Sequence, residues 1–125
     1  MKESLRSEKS SSTLTMSAVI VDDEQLAREE LAYLLKAHPE LEVVAQGHNG
    51  LEAVNLIKEH EPDLLFLDVQ MPGLDGFGVI KKLIDKKVKL PHIIFATAFD
   101  HYAVQAFEVN AVDYLLKPFD KARLA

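Results

Sequence analysis

Charged and hydroxyl-bearing residues lie at the ends of four of the five short apolar runs in this sequence. Asp22 and Asp23 follow the first run, Asp68 follows the third, Thr97 ends the fourth, and Lys117 follows the fifth. Carboxylates that lie close together repel one another, and a hard divalent cation such as Mg²⁺ relieves that repulsion while keeping positions open for phosphate oxygens. Lysine can balance phosphoryl charge, threonine can donate a hydrogen bond, and a carboxylate beside the metal can act as the nucleophile. Provided that the fold brings them together, these residue types predict phosphoryl-transfer chemistry.

The apolar runs that carry these residues are typical of buried strands, and the segments between them are typical of amphipathic helices. Such alternation predicts a parallel sheet with helices on both faces, joined by right-handed crossovers. Ligands of an open parallel sheet bind beyond the carboxyl ends of its strands, which is where the candidate residues occur. The predicted strands cover residues 18–21, 42–45, 64–67, 92–96 and 112–116.

Helical spacing of apolar residues predicts five helices, and the first of them covers residues 25–37. Its apolar side, which we expect to be buried, comprises Leu26, Leu31, Leu34 and Leu35, and its outer side comprises Arg28, Glu29 and Lys36. The remaining helices are marked by Leu51, Val54 and Ile57, by Phe77, Ile80, Leu83 and Ile84, by Tyr102, Ala106 and Phe107, and by residues 119–125.

The composition fits one globular domain, because the 125 residues are 48% hydrophobic and 27% charged. A formal net charge of −6 disfavours direct binding to nucleic acid. The absence of cysteine excludes disulfides and thiolate metal sites. No apolar run approaches the ~18 residues that span a bilayer, and the N-terminus has no apolar signal core. We therefore interpret the chain as a soluble, cytoplasmic protein without a membrane partner.

Each candidate residue also has an ordinary structural explanation when it is considered alone. An aspartate after a strand often caps a helix, a threonine there is often a turn residue, and a single lysine is usually a solvated surface charge. The five histidines are scattered and lack the spacing of metal ligands. The functional interpretation therefore depends on the joint placement of the candidates.

The motifs at these positions resemble those of response-regulator receiver domains of two-component signalling. The resemblance is carried by VIVDDE at 19–24, LDVQMPGLDG at 67–76, TA at 97–98 and KPF at 117–119, and it extends from about Ala18 to the end of the chain. The segments 97–100 and 113–119 are most similar to receivers with a LytTR-type (LytR/AlgR) DNA-binding output domain. The fold implied is a flavodoxin-like, doubly wound, five-stranded parallel sheet with strand order 2-1-3-4-5.

The resemblance also implies the composition of a metal and phosphorylation site. Asp68 is expected to be the phosphoacceptor, with Asp23 as a direct ligand of Mg²⁺ or Mn²⁺ and Asp22 as a supporting one. The backbone carbonyl of Gln70 is expected to complete the protein's share of the metal ligands.

A signalling switch, rather than a metabolic enzyme, is implied by the same resemblance. A sensor histidine kinase is expected to phosphorylate Asp68, so that Thr97 is drawn inward to the phosphoryl group, Lys117 binds it, and Tyr114 moves as the aromatic switch residue. The face formed by the fourth helix and fifth strand is then expected to alter homodimerisation or output contacts. DNA is expected to be contacted only through a C-terminal output domain that this sequence lacks. The domain assists only its own phosphorylation and dephosphorylation.

Two segments at the ends of the chain complete the expected organisation. Residues 1–15, rich in Ser, Lys and Glu, are expected to form a flexible leader, and residues 16–125 the receiver domain. The fifth helix of the family normally continues beyond Ala125, so we expect this helix to be truncated here.

Other functions fit the residues less well. An aspartate-nucleophile phosphatase usually has a second carboxylate two residues after the nucleophile, where this sequence has Gln70. Nucleotide binding needs a glycine-rich phosphate loop, and Gly73, Gly76 and Gly78 have the wrong spacing for one. The main alternative is a degenerate receiver that acts as a phosphorylation-independent interaction module, although all the acceptor-site residues are present.

Overall fold

Strands and helices alternate along the described part of the chain, which comprises residues 15–97 and 113–117 of the computed structural model. The strands are β1 (Met16–Val21), β2 (Leu41–Gly47), β3 (Leu64–Leu67), β4 (His92–Thr97) and β5 (Asp113–Leu116). The helices are α1 (Gln25–Leu35), α2 (Gly50–His60) and α3 (Gly76–Asp85). The predicted fourth and fifth helices, and the leader up to residue 14, lie outside the described residues.

All five strands form one parallel sheet in the order β2-β1-β3-β4-β5. This is the doubly wound, flavodoxin-like fold with order 2-1-3-4-5 that the sequence predicts, and the fold prediction is confirmed. β1 and β3 pair in the centre, with Val21 opposite Leu67, so the two strands end at the same level. The residues that follow them therefore emerge side by side.

The core lies on both faces of the sheet, and neighbouring residues of β1 contribute to opposite faces. Val19 and Val21 belong to a large buried cluster that includes residues of α2 and α3, whereas Ala18 and Ile20 belong to a smaller cluster with α1. Because both faces are covered, the central strands can be apolar throughout.

α1 differs from its prediction in its length and in the side it buries. It ends at Leu35, two residues before the predicted end, and it buries Leu31 and Leu35. Leu26 is 80% exposed, so its predicted burial is wrong. A helix turns about 100° per residue, which places Leu26 about 140° from Leu31 and about 180° from Leu35 around the axis. The same geometry places Arg28 beside the buried leucines, and this side chain is half-buried instead of lying outside.

Side chains cap two of the three described helices. The carboxamide of Asn49 accepts a hydrogen bond from the Glu52 N–H at the start of α2, at 2.8 Å. The Asp75 carboxylate accepts from the Gly78 N–H at the start of α3, also at 2.8 Å. The N-cap of α1 is Glu24, whose side chain makes no capping hydrogen bond. This leaves the Glu24 carboxylate available for another contact.

None of the helices in the described residues has the length and apolar character required to cross a membrane.

Candidate functional site

Main-chain hydrogen bonds fix the backbone of three candidate residues at the carboxyl edge of the sheet. Each residue donates its N–H to the last carbonyl of a neighbouring strand, which continues the ladder by one step. The bonds run from Asp22 to Gly47 at 3.1 Å, from Asp68 to Val21 at 3.0 Å, and from Lys117 to Thr97 at 2.9 Å. The predicted convergence of these positions therefore follows from the sheet itself.

Three carboxylates meet at this edge. Asp22, Asp23 and Asp68 each have an oxygen within 4.8 Å of the others. Asp22 is 4% exposed and Asp68 is 5% exposed, whereas Asp23 is exposed. Two of the three negative charges are therefore held almost out of water, where their mutual repulsion is strongest.

Lys117 is the cation of the cluster and lies among three carboxylates. Its Nζ is 2.6 Å from Asp22 Oδ2, 3.3 Å from Glu24 Oε1 and 3.5 Å from Asp68 Oδ2. Burial alone would lower the pKa of the ammonium group, but the hydrogen bond with Asp22 and the negative charges around it outweigh burial and raise that pKa. Lys117 therefore stays protonated, with hydrogen bonds to Asp22 and Glu24 and a longer ion-pair contact with Asp68.

The carboxylate of Asp68 is held in an unfavourable ionised state. Burial, followed by the negative charge of Asp22, raises its pKa from 3.8 to about 6. The positive charge of Lys117 and hydrogen bonds from the Thr97 side chain and the Gln70 backbone oppose this rise without cancelling it. A further cation bound beside Asp68 would therefore stabilise its ionised carboxylate.

Thr97 and Gln70 both reach Asp68, and their hydrogen bonds favour its ionised form. The Thr97 hydroxyl, at the fully buried end of β4, hydrogen-bonds Asp68, and its movement on phosphorylation stays a prediction. The backbone of Gln70 donates a hydrogen bond to the same carboxylate. Both residues therefore lie at the predicted site before any phosphoryl group is present.

Two further residues of the first loop and helix contribute to the site, and sequence reasoning gave neither a role. The N–H of Glu24 donates to Asp22 Oδ1 at 2.9 Å, and Arg28 Nη1 donates to the main-chain oxygen of Asp22 at 2.7 Å. Asp22 is thus held through its side chain and its backbone. The helical angle between Arg28 and the buried leucines was the signal that could have identified the arginine.

Gly76 brings the start of α3 against the backbone of the acceptor residue. Its N–H donates to the Val69 carbonyl at 2.8 Å. A Cβ atom at this position would lie 2.6 Å from the main-chain oxygen of Asp68 and 2.9 Å from the Cα of Val69. Only glycine fits this approach, so Gly76 has a positioning role rather than the nucleotide-loop role considered above.

Tyr114 lies on β5, where its backbone is paired with Phe95 of β4. Its side chain lies outside the described part of the structure, as does the predicted fourth helix that would form the output face with it. The register places this position three residues before Lys117 on the strand that leads into the site.

The donor set fits a hard divalent cation. Carboxylate oxygens are the ligands that Mg²⁺ prefers, and a cluster with Asp23 exposed is open on its solvent side. Both oxygens of Asp22 already contact Glu24 and Lys117, whereas the Asp23 carboxylate is exposed. Burial, and then the negative charge of Asp22, raise the pKa of Asp68, so a cation bound beside it would favour the ionised carboxylate.

Comparison with protein families supports the same interpretation. The family described as "Response regulator receiver domain" matches residues 18–125. Among curated proteins, the sensory transduction protein LytT of Enterococcus faecalis is 48% identical over 109 residues, covering 87% of this chain and 45% of that protein. LytT of Bacillus subtilis is 51% identical over 107 residues, covering 85% of this chain and 44% of that protein. The chain thus spans less than half the length of these relatives.

A solved structure gives the same result at the level of the fold. The response regulatory domain of protein mrkE from Klebsiella pneumoniae superposes with a TM-score of 0.78 and 38% sequence identity. The match covers 87% of this chain and 88% of that one.

Proposed function

This chain is a member of the response-regulator receiver family of two-component signalling, and we propose that it accepts a phosphoryl group on Asp68 in a Mg²⁺-dependent reaction. Members of this family act as signalling switches. The observation that carries the proposal is the convergence of Asp22, Asp23, Asp68 and Lys117 at one edge of the sheet.

Asp68 is the nucleophile of the proposed reaction. One carboxylate oxygen forms a bond to phosphorus while the bond between phosphorus and the donor breaks, and the donor leaves with the electron pair. With a pKa of about 6, the carboxylate is mostly ionised at pH 7.5 and needs no separate base to remove a proton. Its burial means that little water must be displaced from it before the attack.

Lys117 and Thr97 are proposed to stabilise the transferred group. Lys117 Nζ is 3.5 Å from Asp68 Oδ2 and can turn to an oxygen of the phosphoryl group on that carboxylate. The Thr97 hydroxyl already hydrogen-bonds Asp68 and can donate to another phosphoryl oxygen. Phosphoryl transfer depends mainly on such positioning and charge neutralisation.

Asp23 and Asp68 are proposed to hold the metal directly, with Asp22 as a supporting residue and the Gln70 backbone carbonyl as the further ligand. When bound, Mg²⁺, or Mn²⁺ in its place, supplies positive charge for the carboxylates and the phosphoryl oxygens. The short contacts of Asp22 with Lys117 and Glu24 keep it in a fixed orientation beside that position.

The proposed partners follow from the family. A sensor histidine kinase is the phosphoryl donor, and phosphorylation alters a homodimer contact through the fourth helix and fifth strand, with Tyr114 as the switch residue. The similarity to LytT proteins supports a LytTR-type DNA-binding output domain as the part that contacts DNA. We assign the receiver to residues 16–125 and place it in the cytoplasm with its kinase partner.

The experiment is intact-mass measurement after incubation with acetyl phosphate and Mg²⁺. Wild-type protein should gain one phosphoryl group, and Asp68→Asn should gain none. Asp85→Asn is the matched control, because Asp85 is an exposed aspartate at the end of α3, and it should behave as wild type.

The metal requirement is tested in the same assay. EDTA should abolish the gain of mass, and Asp23→Ala should weaken Mg²⁺ binding measured by calorimetry more than Asp85→Asn does. A phosphoryl gain that survives Asp68→Asn contradicts the acceptor assignment. A wild-type chain that never gains a phosphoryl group contradicts the proposal and favours the phosphorylation-independent interaction module.

A further inference from the structure

The Glu24 carboxylate accepts a hydrogen bond from the Lys117 ammonium group, whose three N–H donors are also those that could bind a phosphoryl group. Its Oε1 lies 3.3 Å from Lys117 Nζ, closer than the 3.5 Å that separates this nitrogen from Asp68 Oδ2. The ammonium group has three donors, and Asp22, Glu24 and Asp68 supply three acceptors. A phosphoryl oxygen on Asp68 takes over the longest of these three contacts, and Lys117 can approach it more closely only by moving away from Asp22 or Glu24.

Asp22 and Glu24 differ in how readily they can release Lys117. Asp22 is the nearest at 2.6 Å, it is buried, and its other oxygen is held by the Glu24 N–H. The Glu24 side chain is 69% exposed, so water can replace Lys117 around its carboxylate at small cost. Of these two acceptors, Glu24 is therefore the one that exchanges more readily.

We propose that Glu24 competes with the phosphoryl group for Lys117 and thereby slows phosphorylation of Asp68. This inference rests on the proposed phosphorylation of Asp68. Glu24 contacts neither the metal position nor the phosphoryl group in this proposal. It acts through Lys117 as a positioning residue that favours the unphosphorylated state.

The backbone geometry makes this a property of the Glu24 side chain rather than of the loop. Glu24 is the N-cap of α1, yet its side chain makes no capping hydrogen bond and instead points to a residue 93 positions later in the chain. Its N–H, which every substitution except proline retains, makes the bond to Asp22. Substitution of the side chain should therefore leave Asp22 in place.

The first test is the rate of phosphorylation by acetyl phosphate with saturating Mg²⁺. In this reaction a carboxylate oxygen of Asp68 bonds to phosphorus and acetate leaves with the electron pair of the broken bond. Glu24→Gln, which keeps the shape and removes the charge, should be faster by about two- to five-fold, the range expected from loss of one exposed ion pair. Glu30→Gln, an exposed change of the same charge on α1, is the control and should match wild type.

Glu24→Asp separates direct competition from a general effect of charge. It keeps the charge but is one methylene shorter, so it cannot make the same contact with Lys117. If Glu24 competes directly for Lys117, Glu24→Asp should be phosphorylated faster than wild type, as Glu24→Gln should be. A Glu24→Asp rate equal to wild type, with Glu24→Gln faster, would instead mean that Glu24 only repels the anionic donor and would overturn the inference.

Affinity for beryllium fluoride in the presence of Mg²⁺ provides a readout without chemical turnover, because beryllium fluoride can occupy the phosphoryl position on Asp68. Both Glu24 variants should bind it about two- to five-fold more tightly than wild type and Glu30→Gln. Equal affinities in all four proteins would overturn the inference. The proposed function would still stand, provided that wild type is phosphorylated. If wild type gains no phosphoryl group at all, the proposed function fails and this inference fails with it.

Discussion

Asp68 combines three properties that oppose one another at a single residue. It is ionisable, it is buried, and it lies close to the like charge of Asp22, so the fold holds it in a state that the isolated side chain would avoid. Lys117 provides only part of the compensation, because it is shared with Asp22 and Glu24. The negative charge that remains uncompensated favours binding of a cation.

Burial of the Asp68 carboxylate predicts that metal-free protein becomes less stable as the pH rises. The folded-state pKa of Asp68, about 6, exceeds the ordinary value of 3.8, so the folded chain binds the proton more tightly than the unfolded chain. The associated stability is present below pH 3.8 and is lost as the pH rises through about 6. A difference of about two pKa units corresponds to about 3 kcal/mol, but Asp68→Asn also loses the attraction to Lys117, so it should be more stable by about 1–2 kcal/mol at pH 7.5.

The measurement is urea unfolding of wild type and Asp68→Asn in EDTA at pH 4 and pH 7.5. The variant should be more stable at pH 7.5, and the difference between the two proteins should shrink strongly at pH 4. Asp85→Asn, in an exposed position, serves as the control for loss of a surface charge. The same difference at both pH values would show that burial of the charge is not the cause.

The sequence could identify Asp22, Asp68 and Lys117 because each directly follows a recognisable apolar run. It could not assign roles to Glu24 and Arg28, because their contacts depend on the three-dimensional arrangement of the chain. The Glu24 contact depends on where Lys117 lies in space, and Arg28 contacts a main-chain oxygen rather than a motif residue.

The loop between β3 and α3 shows how one element positions another. Gly76 lets the first turn of α3 approach the backbone of the residues that follow β3, and its N–H bonds the Val69 carbonyl there. The neighbouring atoms are main-chain atoms, which cannot rotate away from an added methyl group. α3 is therefore fixed directly against the residue proposed to accept the phosphoryl group.

Gly76→Ala should consequently destabilise the protein by about 1–3 kcal/mol, the usual cost of overpacking, and should weaken Mg²⁺ binding as Asp68 is displaced. Gly78→Ala is the matched control, because its added Cβ would meet the Cδ1 atom of Leu74, at the movable end of a side chain. It should cost less and leave Mg²⁺ affinity close to wild type. Thermal unfolding and calorimetric Mg²⁺ titration of both variants test this prediction, which similar losses in the two proteins would contradict.

The elements themselves were predictable in type and order, but their boundaries and orientations were less so. Periodicity identified α1, yet counting Leu26 among its buried residues ignored the angle that separates it from Leu31 and Leu35. β2 begins at Leu41 and ends at Gly47, beyond both predicted limits. Strand ends depend on pairing with neighbours, which a run of apolar residues does not record.

At the scale of the molecule, the two faces of the sheet are unequal within the described residues. α2 and α3 cover one face and contribute to the larger buried cluster, whereas α1 covers the other face with Leu31 and Leu35 as its buried residues. α1 also lacks a side-chain N-cap and exposes Leu26 and Tyr33. Within the described residues, α1 therefore contributes fewer buried side chains than α2 or α3.

We expect α1 to open locally more readily than α3. Amide hydrogens of Leu31 to Leu35 should exchange faster than those of Ile80 to Leu83, because few apolar contacts and a missing cap lower the free energy of local opening. Hydrogen exchange followed by NMR measures both helices in one sample. Equal or reversed protection would show that the unequal clusters do not determine local stability.

The overall architecture was accessible from the sequence because it depends on pattern alone. Alternating apolar runs and amphipathic segments determine a parallel sheet, and the family resemblance supplies the strand order found here. The distances within the site, and the sharing of Lys117 among three carboxylates, depend on side-chain packing and were visible only in the structure.

The main-chain hydrogen bonds that extend the ladder to Asp22, Asp68 and Lys117 have an evolutionary consequence. Any residue except proline can donate such a bond, so the backbone of the site persists when its side chains change. A single substitution can silence the chemistry and leave the sheet intact, and in the case of Asp68 it can even make the domain more stable. Descendants of such a chain can thus drift into inert copies that no comparison of folds would distinguish, and only selection for signalling retains the acidic residues.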